Sequence, residues 1–182
     1  MIKKAARLIL IPCVIVAAVI SYPASATEPN SREYLLKAAF IFNIAKFVEW
    51  PPGSFDNEKA PLVFYVLGKD PFGYTISTIE GKIVQGRILV VKRTEKLDDL
   101  RACQMVFVSS SEMNRLPQVF QLLKDARVLT IGDMPNFAQN GGMINLVTAE
   151  NKISMEINVA EAEKAKLQIS SKLLKLARIV NE

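Results

Sequence analysis

The chain has no histidine, so the commonest general base and the commonest transition-metal ligand are both missing. A serine nucleophile would have to be activated by lysine. Ser170 or Ser171 beside Lys172 or Lys175 is the formal candidate, but serines at the start of a helical stretch serve as caps. The paired carboxylates Asp98–Asp99 and the more distant Glu161 and Glu163 fall in polar helical segments and read as solvated. Asp70, Asp133 and Glu150 lie near predicted strand ends, where α/β domains bind ligands, without forming a metal pattern. "GRILVV" and "NGGM" are not phosphate loops, because no glycine-rich run opens a helix after a strand. Binding is therefore favoured over catalysis, with no cofactor and no metal expected.

The elements that would position these groups follow from hydrophobic patterning. Residues 1–26 carry a basic start (Lys3, Lys4, Arg7), an apolar run from Leu8 to Ile20 and the small-residue site Ala24-Ser25-Ala26. This is the pattern of a cleaved secretory signal peptide. An uncleaved anchor would want a longer apolar run, and Pro12 fits badly with lipid attachment at Cys13. Cleavage removes three cations and no acid, so the net charge falls from +5 to +2 for residues 27–182. That balance gives no argument for nucleic acid or an anionic membrane, and no later stretch is apolar enough to insert in a bilayer. Residues 27–182 are expected to be one domain.

"YLLKAAFIFNIAKFVEWPP" predicts a helix from about Glu33 to Val48, with Asn30 and Glu33 as a capping box and Pro51-Pro52 as its stop. Its apolar face is broader than a surface helix needs, and a second subunit covering Phe40, Phe47 and Trp50 is the favoured explanation over burial within one chain. Apolar runs at Leu62–Gly68, Arg87–Arg93, Gln104–Ser110 and Val128–Gly132 read as buried strands. Asp70 and Pro71 suit the start of a short helix, and Ser111 to Ala126 is helical. "MINLVT" and "KISMEIN" read as a hairpin whose face carrying Lys152, Ser154 and Glu156 meets solvent or a partner. Asn158 begins a closing helical region, whose last part places Leu173, Leu174, Leu176, Ala177 and Val180 on one buried side. The fold class is α/β: one domain, a mostly parallel mixed sheet of about six strands with helices on both faces, and a C-terminal antiparallel hairpin plus helices. After cleavage Cys103 is the sole cysteine, and its place before "QMVFV" favours burial over pairing between chains.

Four stretches, "YLLKAAFIFNIAKFVEWP", "FYVLGKDPFG", "VLTIGDMPNFAQNGGMINL" and "ISMEINVAEAEKAKLQISSKLLKLAR", in this order after a signal peptide, resemble the YfiR family of periplasmic regulators. The resemblance spans Tyr34 to about Arg178. It implies a protein of the periplasm, often a homodimer, that inhibits rather than catalyses. Its partner would be the periplasmic sensor domain of an inner-membrane diguanylate cyclase of the YfiN or TpbB type, whose cyclic di-GMP output it would hold low, restraining biofilm formation. It also implies a partner-binding side on the hairpin and closing helix, which here selects Ile144, Glu156, Ala162, Lys175 and Arg178. One position departs from the family: many relatives carry a cysteine where this chain has Tyr65, with its partner at Cys103, so that disulfide cannot form and redox control is left to Cys103 alone. A different class of function, a periplasmic small-ligand sensor, would place its ligand near Gly68–Asp70 or Gly132–Asp133.

Overall fold

The computed structural model describes residues 29–150 and 152–180. The signal peptide assigned to residues 1–26 lies outside the described residues. The chain runs α1 (Pro29–Lys46), β1 (Val48–Glu49), β2 (Leu62–Leu67), β3 (Ile83–Val84), β4 (Arg87–Thr94), β5 (Met105–Val108), α2 (Leu116–Leu123) and β6 (Leu129–Gly132). It continues through β7 (Ile144–Ala149), β8 (Lys152–Asn158), α3 (Val159–Lys164), β9 (Gln168–Ile169), α4 (Ser171–Leu174) and β10 (Arg178–Val180). Short 3-10 turns fill Gly73–Thr78, Leu97–Ala102 and Ser110–Arg115.

An eight-stranded sheet has the order β10-β8-β7-β6-β5-β2-β4-β3, and β1 pairs with β9 in a separate two-stranded ribbon. The six strands expected from sequence are β2, β4, β5, β6, β7 and β8. The two added to the main sheet are its edges, β3 and β10. Strands β4, β2, β5, β6 and β7 run parallel, and β7–β8 is the antiparallel hairpin. Alternation along the strands splits the core in two. Phe64, Val66, Phe107 and Ile131 face α1, α3 and α4, whereas Tyr65, Leu67, Val106 and Val108 face α2 and the 97–102 turn.

Three expectations need correction. Asn30 lies within α1, and Glu33 does not reach back to cap it. Glu33 instead takes a hydrogen bond from Thr148 Oγ1 at 2.8 Å and pairs with Lys37. Asp70 does not cap a helix at Pro71. Its Oδ1 accepts the Phe72 amide at 2.7 Å and its Oδ2 pairs with Arg93 at 2.6 Å, so a turn precedes the 3-10 segment. The closing region is not one amphipathic helix. Lys166 at φ 60° ends α3, with the Leu167 amide on Ala162 O and the Lys166 amide on Glu163 O, which is a Schellman stop. Ser170 caps only a single turn, α4. The chain then extends as β10, leaving Leu176 74% exposed. So short a helix is marginal, and Ile179 and Val180 favour a strand.

The wide apolar face of α1 is used unequally. Ala38, Ile41, Ile44 and Ala45 are buried on the sheet, while Leu35 and Leu36 remain 43% and 44% exposed. One buried ammonium ties the helix to the strand ends. Lys37, 3% exposed, bonds Asp133 Oδ2 at 2.7 Å and Glu33 Oε1 at 2.6 Å, and Tyr34 Oη donates to the same Asp133 oxygen at 2.8 Å. Removing one partner of a buried pair strands the other charge. Lys37→Met is therefore expected to lower the unfolding free energy by about 3–5 kcal/mol in urea denaturation, whereas the exposed Lys59→Met should change it by less than about 0.5 kcal/mol. Equal small effects would contradict this role for Lys37.

Candidate functional site

The register of the hairpin sets Asn145 opposite Glu156, and the parallel pairing of β10 sets Arg178 beside Glu156. Three neighbouring strands thus line up Asn145, Glu156 and Arg178 in one row. Alternation puts Glu156 on a face expected to meet solvent or a partner, but its own chain covers it. It is 7% exposed, and its carboxylate is fully engaged. Oε1 takes a hydrogen bond from Arg178 Nη2, and Oε2 takes Asn145 Nδ2 at 3.2 Å and Gln139 Nε2 at 3.5 Å. Burial alone would raise the Glu156 pKa, but the bonds from Arg178 and Asn145 outweigh it and hold the carboxyl below its ordinary value. Asn145 Oδ1 is buried with no donor among the described residues. Next along β8, Asn158 caps α3 through the Glu161 amide at 3.1 Å and donates to Ala138 O at 2.9 Å, fixing the 133–142 loop over the row.

The five residues assigned to a partner side separate into two groups. Arg178 and Lys175 are exposed, and Glu156 lies just beneath Arg178. Ile144 and Ala162 are 0% and 1% exposed, within the core against α1, α3 and α4. A partner cannot touch them in this conformation; they can only shape the surface above. Arg178 lies on β10, beyond the end of α4. Gln139 and Asn145 were missed from sequence. Asn145 was findable by counting the register back from the hairpin tip, but Gln139 reaches the row only through the loop fold.

The strand-end locations proposed for a small ligand are filled by the chain itself. The strand order reverses between β2 and β5, which makes their carboxyl ends the switch point. A Cβ at Gly68 would lie 2.4 Å from Ser111 Oγ and 2.6 Å from Glu112 Oε1, and Lys69 N–H donates to Ser111 Oγ at 3.0 Å. Glu112 is in turn held by Arg115 Nε at 2.7 Å. Asp70 and Asp133 are bound as described above. A cleft of about 770 Å3 lies elsewhere, between α2 and α3, lined by Leu116, Phe120, Leu123 and Met143.

Phe40 and Phe47 are half-buried. Trp50 is also half-buried, and it is anchored within the chain, donating Nε1–H to Gln104 O at 3.2 Å and meeting Phe55 edge-on. Cys103 is 4% exposed, shares a core cluster with Tyr65, and donates Sγ–H to Leu100 O at 3.2 Å. Burial pushes its pKa up to about 12, which disfavours the thiolate that redox chemistry needs.

The YfiR/HmsC-like family model matches residues 34–178. This chain belongs to that family. Its members are periplasmic regulators in cyclic di-GMP signalling rather than catalysts. No curated protein matches the sequence. Among solved structures, the YfiR/HmsC-like chain is similar to a conserved domain protein from Vibrio cholerae, at 12% identity over 81% of this chain and 60% of that one, with a TM-score of 0.55. It is also similar to the ABC domain from Streptococcus pneumoniae solved in complex with L-Trp, at 10% identity over 65% and 55%, with a TM-score of 0.47. Likeness at this identity concerns the fold alone, and the chain spans less than two thirds of either protein. Among the described residues no helix is long and apolar enough to cross a membrane, and no cluster of acidic and sulfur side chains could hold a metal ion.

Because the folded Glu156 pKa is depressed, its contribution is present above the ordinary carboxylate value of 4.5 and is lost as pH falls through the folded value. Arg178 is 68% exposed, so solvent screening reduces its share. Arg178→Met should lower stability by about 1–2 kcal/mol at neutral pH. Denaturation curves should show that gap closing as pH drops below 4.5. A gap that stays constant into acid would contradict the assignment.

Proposed function

We propose that this protein is a periplasmic negative regulator that binds the periplasmic sensor domain of an inner-membrane diguanylate cyclase and restrains cyclic di-GMP synthesis, and with it biofilm formation. Family membership supports the signalling context. The observation that carries the assignment to a surface is the Asn145–Glu156–Arg178 row. It uses three strands to hold one exposed guanidinium beside Lys175 at the sheet edge. Arginine anchored in this way is a frequent energetic centre of protein interfaces. Ile144 and Ala162 would act from beneath by setting how β7, β8 and α3 pack.

Repression requires that the regulator bind the inactive cyclase conformation more tightly than the active one. Moving a two-state partner from 1:99 to 99:1 takes about 5.5 kcal/mol of such preference, which a few well-packed anchors can supply. Cyclic di-GMP itself is made across the membrane and has no role as a ligand here. Deletion of the gene should raise cellular cyclic di-GMP several-fold and complementation should lower it again, by direct nucleotide quantification. Unchanged levels with a membrane cyclase expressed would reject the inhibitory role.

A homodimer belongs to the same proposal. The exposed Leu35 and Leu36 with half-buried Phe40 form an apolar stripe along α1. The homodimer predicts that the secreted protein sediments as a dimer at micromolar concentration and that Leu36→Glu shifts it to monomer. A wild-type monomer throughout would remove the dimer.

A further inference from the structure

We propose that the open edge of β8 receives an acidic, extended segment of the cyclase's periplasmic domain as an added strand; this rests on the regulator–cyclase assignment above. Strand β8 has seven residues, Lys152 to Asn158, but β10 pairs only with Glu156, Ile157 and Asn158. The Asn158 amide donates to Met143 O, and hydrogen-bonding direction alternates along an antiparallel strand. The amides of Asn158, Glu156, Ser154 and Lys152 therefore face β7, and those of Ile157, Met155 and Ile153 face outward. Ile157 lies opposite β10. Ile153 presents both its N–H and its C=O to the uncovered side, with no strand beyond it among the described residues. An edge with unpaired backbone groups is a template for strand addition.

The edge is also preorganised. The Ile153 side chain packs half-buried on the main core, so binding orders little of this chain. The opposite sheet edge is covered at Leu89, which Gly81 N–H and Lys82 O bond at 2.9 and 2.8 Å, and the Arg93 side chain there reaches Gly73 O at 3.1 Å. The occupant's charge follows from the surroundings. Lys152 on β8, Arg178 on β10 and Lys175 just before β10 are exposed, whereas Glu156 is buried and Glu150 at the hairpin tip is exposed. A segment bearing aspartate or glutamate complements that field.

Proline is tolerated on an edge strand where the lost N–H faces solvent. Ile153→Pro therefore removes the outward donor without breaking a β7–β8 bond. In the deletion strain, full-length wild type and the remote Lys59→Glu should both lower cyclic di-GMP. Ile153→Pro should leave it at the deletion level while accumulating in the periplasm with a melting temperature within a few degrees of wild type. Lys152→Glu/Lys175→Glu should weaken repression at least several-fold, and this pair decides the matter if Ile153→Pro does not fold. Wild-type repression by Ile153→Pro, or by the double reversal, overturns the strand-addition proposal while leaving the regulatory role intact. A deletion with no effect on cyclic di-GMP overturns both. An edge-to-edge self-association abolished by Ile153→Pro would make a second copy the occupant, which also overturns it.

Discussion

A buried carboxylate must be satisfied, and at Glu156 this requirement organises the C-terminal third of the molecule. Burying a charge without partners is far more costly than burying an apolar group of the same size. Here the partners come from a neighbouring strand, a loop and the chain's last described strand: Asn145, Gln139 and Arg178. The ion pair draws the chain after α4 back along β8 as a parallel edge strand. Among the described residues that placement ends the sheet, leaves half of β8 uncovered, and sets Lys175 and Arg178 of the closing segment near the gap.

The same fold closes the sites through which α/β sheets commonly bind small molecules. At the switch point the absent Cβ of Gly68 makes room for Ser111 and Glu112. At the end of β6, Asp133 is taken up by Tyr34 and Lys37. Those side chains rigidify the upper rim of the sheet and hold α1 in place. The fold class alone would have directed attention to these crevices; the side chains filling them direct it to the sheet edge, which is why function has to be argued from a site rather than from a fold.

The six central strands and α1 were legible because continuous apolar runs and a strong helical period are local signals. The Asn158 and Ser170 caps were legible for the same reason. The strand character of residues 178–180 was not. "SSKLLKLARIV" has helical periodicity, and only the distant partners β8 and Glu156 make extension preferable. The burial of Glu156 was not legible because alternation of Ile153, Met155 and Ile157 implies an opposite face open to solvent or a partner, whereas the 133–142 loop folds over it through Asn158. Of the partner set, Ile144 and Ala162 came from resemblance, and no period in the sequence distinguishes a residue that touches a partner from one that supports the surface beneath.

The central claim is that this protein acts by holding another protein along its β8–β10 edge. Hydrogen–deuterium exchange, comparing residues 27–182 alone with the same chain saturated by the periplasmic domain of the proposed diguanylate cyclase partner, tests it most directly. The account predicts slowed exchange concentrated at residues 152–158 and 175–180, with the Ile153 and Met155 amides affected most. No protection anywhere, or protection confined to α1 or to the strand-end crevices, would contradict it.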